Sequence, residues 1–173
     1  TKELIVPMPV VDGEIRQDVA RDIIKVAAID RRFSPGKTFV GLIRGFGLRR
    51  GAFASTKSWD TSDIIVVGEN DEDMALAVNR IFELKGGAVA CAAGRILAEI
   101  PLPFFGLISD LPVEEIAGKI GEIKKAVKEL GFPFDDPLLS INTLTGAAIP
   151  FLRICEEGLV DLKHGKTVGL IIH

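Results

Sequence analysis

The chain has 173 residues, 47% of them apolar, and a formal charge of −3. That length fits a single domain, 1–173, able to bury roughly 70% of its extended surface without disulfides or a structural metal. A mildly acidic chain with no basic tail and no basic stripe interleaved with aromatics argues against nucleic acid as a partner. A mean hydropathy of +0.32 is high and predicts either a large interior or a surface that meets another domain or subunit.

The N-terminus, TKELIVPMPVVDGEIRQ, lacks a basic stretch followed by an apolar signal core. DIIKVAAIDRRF (22–33) reads as a strand, SPGK (34–37) as a turn and FVGLIRGFG (39–47) as the returning strand of a hairpin. IIVVG (64–68) is a short, wholly apolar strand of the kind buried on both faces. A helix follows over about 71–85. Asn70 or Asp71 suits its cap, Glu72 and Asp73 suit its positive end, and Gly86-Gly87 stops it. AVACAAGRILAEIPL (88–102) reads as a hairpin turning near Ala93-Gly94. A second helix spans about 111–130, with Ile116, Ile120, Ile123, Val127 and Leu130 on one stripe. Beyond it, FPFDDP is a loop. LLSINTLTG and AAIPFLRIC read as strand pieces, and EEGLVDL and KTVGLII as closing strands around a Lys163–Gly165 turn. This order predicts an α+β fold: a mixed, largely antiparallel sheet packed with two long helices.

No apolar run approaches the roughly 18–20 residues of a membrane span. Cys91 and Cys155 are far apart and form no C-x-x-C pair, which fits a reducing cytoplasm. GFGLRRG (45–51) departs from a dinucleotide fingerprint, because Arg50 stands where G-x-G-x-x-G requires glycine. It reads instead as a bent strand end. His164 and His173 are the only histidines, so neither a metal site nor a Ser–His–Asp triad is predicted, and no catalytic residue is assigned. The acidic run 69–73 lacks calcium-loop spacing and reads as a helix N-terminus.

The loop STKSWDTSD (55–63) holds hydroxyls, two carboxylates and the only Trp just before a buried strand. Hydroxyls and Asp in a loop commonly bond the nearby backbone. Trp59 also offers a stacking face and Asp60 an acceptor for a ring N–H. The candidate ligand-binding residues are therefore Asp60, Trp59 and Ser55, with Arg31 and Arg32 from a neighbouring strand end.

RGFGLRRGAFASTKSWDTSDIIVVGENDEDMALAVNRIFELKGG, followed by ILAEIPLPFFGLISDLPVEEIA, closely resembles the C-terminal domain of adenine deaminases of the amidohydrolase superfamily. The resemblance extends more loosely from about Val10 to Leu170. It implies a relation to hydrolysis of adenine to hypoxanthine and ammonia in purine salvage. It also implies a separate barrel carrying iron, manganese or zinc. None of that barrel is in this chain, so no cofactor is expected here. The family's usual H-D-S-H-N corresponds to Trp59, Asp60, Thr61, Ser62 and Asp63, and its E-R-H to Asp30, Arg31 and Arg32. Trp, Ser and Arg cannot replace histidine in proton transfer at neutral pH. The expectation is a catalytically silent domain that packs on a barrel or on its own copies and approaches a purine-like molecule. It is either the tail of such an enzyme or a protein made of the tail alone. The alternatives are a stand-alone binding or oligomerisation module and an enzyme of different chemistry.

Overall fold

The computed structural model describes residues 3–61, 63–148 and 151–171. A two-residue hairpin, β1 (Val10–Val11) with β2 (Glu14–Ile15), and a 3-10 turn at Val19–Arg21 precede the main sheet. That sheet contains β3 (Ile23–Ile29), β4 (Thr38–Arg44), β5 (Ala52–Ser55), β6 (Ile64–Gly68), β7 (Gly87–Ala92) and β8 (Arg95–Pro101). Its spatial order is β4-β3-β6-β5-β7-β8, and every neighbouring pair is antiparallel. The 22–33 and 39–47 segments form the predicted hairpin, with Ile29 opposite Thr38. GFGLRRG is the bent link between β4 and β5. Gly51 has a φ of 68°, and a Cβ there would lie 2.3 Å from the Cys91 carbonyl oxygen.

The strands are rich in β-branched and small residues, and the central ones bury both faces. All of β5 (AFAS) and β6 (IIVVG) is buried. Helix α1 (Asp71–Glu83) crosses from β6 over β5 to β7. It packs Met74, Ala77 and Ile81 on Ala52, Ala54, Val66 and Val89. On the opposite face lies α2 (Val113–Glu129), over β7 and β8, with Ile123 and Val127 inward. Among the described residues, no helix is long and apolar enough to cross a membrane.

Two features depart from the sequence reading. LLSINTLTG was expected as strand, yet α3 (Pro137–Thr143) is a helix. Asp136 caps it by accepting the Leu139 N–H at 3.0 Å, and Pro137 takes the first turn, where its missing N–H costs nothing. Leu138, Ile141 and Leu144, three residues apart, turn one helical face into the core. The other feature is β5, whose four residues carry little strand signal of their own. The closing segments form a separate three-stranded sheet, β9 (Leu152–Cys155), β10 (Gly158–Asp161) and β11 (Lys166–Val168), in the order β11-β10-β9. Ile154 of β9 joins the main core.

The acidic run 69–73 works as the start of a helix and as a brace. Asn70 Oδ1 accepts the Asp73 N–H at 2.7 Å. The buried Asp73 carboxylate accepts from Ala93 at 3.1 Å and Gly94 at 2.9 Å, pinning the β7–β8 turn to α1. Burial works against its charge, but the bonds from Asn70, Gly94 and Ala93 outweigh that and hold it below the usual carboxylate range. A depressed carboxyl contributes stability above its unfolded pKa and loses it as pH falls. Asp73→Ala is therefore expected to cost about 2–3 kcal/mol at pH 7 in urea unfolding, with the difference shrinking below pH 4.

Candidate functional site

Strands β3, β5 and β8 run in the same direction, as follows from their alternating antiparallel partners. Their C-terminal ends therefore meet at one end of the sheet. STKSWDTSD ends β5 with Ser55 and continues as the loop after it, the residues after β3 include Arg31 and Arg32, and the segment after β8 covers 103–108. Residues as far apart in sequence as Arg31 and Phe105 thus share one rim.

Most polar groups of the loop are bonded to backbone. Thr56 Oγ1 donates to the Gly106 carbonyl at 2.8 Å and accepts the Gly87 N–H at 2.9 Å, joining the loop to β7 and to the segment after β8. Ser55 is 1% exposed, and its Oγ accepts the Lys57 N–H at 3.0 Å. Ser58 Oγ meets Thr145 Oγ1 at 2.7 Å and accepts the Thr61 N–H at 3.2 Å. The Trp59 N–H donates to Asn142 Oδ1 at 3.1 Å, and Asp60 Oδ2 accepts the Ala147 N–H at 2.6 Å. The contacts to Thr145, Asn142 and Ala147 fasten the loop to the end of α3 and the residues after it.

Trp59 and Asp60 remain exposed. The Arg31 guanidinium donates to the Phe105 carbonyl and, at 3.5 Å, to the Lys85 carbonyl. Arg32 is exposed, its guanidinium 5.4 Å from the centre of the Phe33 ring. Of the candidates, Trp59, Asp60 and Arg31 lie on this rim with Arg32 beside them, while Ser55 lies beneath it. Asp30, buried, accepts the backbone N–H groups of Arg32 at 2.7 Å and Phe33 at 3.0 Å, and that of Ser34. Those bonds, led by the one from Arg32, hold its carboxyl low.

Among the described residues, no group of three His, Cys, Asp or Glu side chains is placed to hold a metal ion. His164 sits in the exposed turn after β10, with Nδ1 2.6 Å from Asp161 Oδ2. His173 and Ser62 lie outside the described residues. The donor set among the described residues does not fit the metals that the resemblance implies for the barrel.

The chain matches the family "Adenine deaminase C-terminal domain" over residues 1–166. It belongs to that family. An adenine deaminase of Moorella thermoacetica is 42% identical over 171 residues, covering 99% of this chain and 29% of the relative. One of Kosmotoga olearia is 41% identical over 172 residues, covering 99% and 30%. One of Brucella melitensis is 40% identical over 169 residues, covering 98% and 29%. The chain thus spans about three-tenths of the length of the curated relatives it matches.

One pair in this family member escaped the sequence reading. Asp63 is 2% exposed at the start of β6, and its Oδ2 accepts the Glu156 N–H at 3.2 Å from the β9–β10 turn. Glu156 thus stands beside it, and a second carboxyl so close favours the protonated form of Asp63. Burial first, and then Glu156, push the Asp63 carboxyl up to about 7. Ninety-three residues separate the two, and the only hint in the sequence is that Asp63 stands where the resemblance places Asn.

The sign for stability follows directly. Below pH 4 Asp63 is protonated in both the folded and unfolded chain. As pH rises towards 7 the unfolded chain ionises while the folded one keeps its proton, so stability is lost. Asp63→Asn is expected to be more stable than the parent by about 1–3 kcal/mol at pH 8, with the gap closing towards pH 4. Thermal melts across that range measure it; a gap independent of pH contradicts this account.

Proposed function

We propose that the chain acts as the non-hydrolytic C-terminal part of an adenine deaminase. In this reading it packs on a metal-dependent amidohydrolase barrel and helps to shape the purine side of the active site. The observation that carries it is the state of the polar loop: among the described residues its hydroxyls and carboxylates are bound to backbone or to each other, which suits a scaffold. Hydrolytic deamination needs a water made nucleophilic by a metal or a base and an acid for the leaving ammonia. The iron, manganese or zinc of the barrel would supply the first. Asp63, with its raised pKa, is too deeply buried to serve a substrate.

Within this reading, exposed Trp59 gives a purine ring a face to stack on. Asp60 Oδ1 has no hydrogen-bond partner among the described residues and suits a ring N–H or an exocyclic amine. Two free, buried cysteines suit the cytoplasm. The stand-alone reading, a homo-oligomeric binding module, draws on the exposed aromatics of the same rim. Light scattering separates the two, because a strict monomer removes the module's reason for exposing them.

The purified chain with adenine and iron, manganese or zinc is expected to release no ammonia above the metal-only blank. Grafted in place of the matching region of the Moorella thermoacetica enzyme, it is expected to support deamination. Trp59→Ala in that chimera is expected to raise KM about tenfold with kcat within about twofold, as loss of ring stacking predicts. Enzyme-like ammonia release by the chain alone overturns the proposal.

A further inference from the structure

The rim that carries the polar loop also carries an apolar surface. Phe33, Trp59, Phe104, Phe105, Leu107 and Ile108 are all exposed there, Phe33 at 79% and Phe105 at 74%. They come from the ends of three strands that only the sheet brings together. Six large apolar side chains on one rim are more than the scattered singles of an ordinary surface.

The display is built rather than left over. Phe105 has a φ of 58°, in the left-handed region, where a bulky residue is an outlier. Such a conformation persists only where its surroundings enforce it. Here Arg31 donates to the Phe105 carbonyl and Thr56 to the Gly106 carbonyl, and Phe104 and Ile108 exchange backbone hydrogen bonds at 3.2 Å. Gly106 suits that closure, since its φ is 77° and a Cβ on it would lie 2.7 Å from the buried Thr56 Oγ1. The fold therefore accepts backbone strain to hold two phenylalanines in water.

Charge narrows the partner. Arg32, Lys57 and Lys85 border the patch, are exposed, and form no salt bridge among the described residues. They form a basic border on a chain whose net charge is −3. The complementary surface is apolar at its centre and carries carboxylates at its edge. Two rival apolar areas lie elsewhere: a hollow beside α1 over Ala27, Ile29 and Val78, and a second at Val40 and Leu42, lined in part by the chain's own Ile15 and Leu170, where Lys25 is paired with Asp71 at 2.7 Å.

We propose that this rim, centred on Phe104 and Phe105, is the docking face for the catalytic region of an adenine deaminase. The inference rests on the proposed function. It commits to that occupant because about seven-tenths of each matched relative lies outside the region shared with this chain. An occupant seated there would also lie against Trp59 and Asp60.

The test uses the Moorella thermoacetica chimera described above, as parent, as Phe104→Ser with Phe105→Gly, and as Val40→Ser. Compactness is read by small-angle scattering and by the rate of protease cleavage at the junction. In the isolated chain the double variant is expected to melt no lower than the parent, because glycine adopts the left-handed φ without strain. In the chimera it is expected to raise junction cleavage at least tenfold and enlarge the radius of gyration, with Val40→Ser unchanged. A compact chimera indifferent to the double variant, or one loosened by Val40→Ser instead, overturns the docking face while leaving the proposed function standing. A parent chimera whose two parts stay separate overturns both. An isolated chain that dimerises, and that the double variant makes monomeric, assigns the rim to a second copy and overturns the inference.

Discussion

Strands β5 and β6 are buried on both faces, and the loop joining them must turn at the edge of the core without leaving backbone N–H and C=O groups unmet. An unmet buried polar group costs on the order of 1–3 kcal/mol. The chain meets this requirement with side chains. Thr56 bridges two other segments, Ser55 and Ser58 bond the loop itself, Asp60 and Asp63 reach residues more than eighty positions away, and Asp30 closes the neighbouring turn. The position of α3, the anchoring of the small sheet and the closure of the 103–108 segment all follow from those bonds.

That use of polar groups sets what the rim can do. Hydroxyls and carboxylates tied to backbone are poor nucleophiles and poor bases, because reaction would break the bonds that hold the loop. The exposed residues of the loop are Lys57, Trp59 and Asp60, and beside them lie phenylalanines held outward and, in Arg32 and Lys85, cations with no salt bridge among the described residues. That rim belongs to a region that matches about three-tenths of the length of larger adenine deaminases. The Asp63–Glu156 pair adds a cost that grows towards neutral pH, at the seam where the small sheet meets the large one.

Elements with their own signals were legible from the residues. The β3–β4 hairpin, β6, α1 with its Asn70 cap, the β7–β8 hairpin and α2 all lie where periodicity and turn chemistry place them. The third helix was not, although Asp136 followed by Pro137 is a cap-and-first-turn signal; the apolar and β-branched residues of LLSINTLTG obscured a three-residue spacing. Strand β5 was missed because four small residues become a strand only between β6 and β7. Trp59 and Asp60 were picked out as chemistry-bearing groups, but not Asp63, whose character depends on Glu156.

Local order thus belongs largely to the sequence by itself: where α1 and α2 start and stop, which hairpins close, and the scarcity of imidazole. These follow from interactions between residues a few positions apart. Tertiary structure alone decided which loop ends share a rim, which carboxyl retains a proton near neutral pH, and which aromatics face water together. The reason is physical: burial, a second carboxyl and a forced left-handed φ are properties of neighbours in space, and a linear chain does not encode them at any one position.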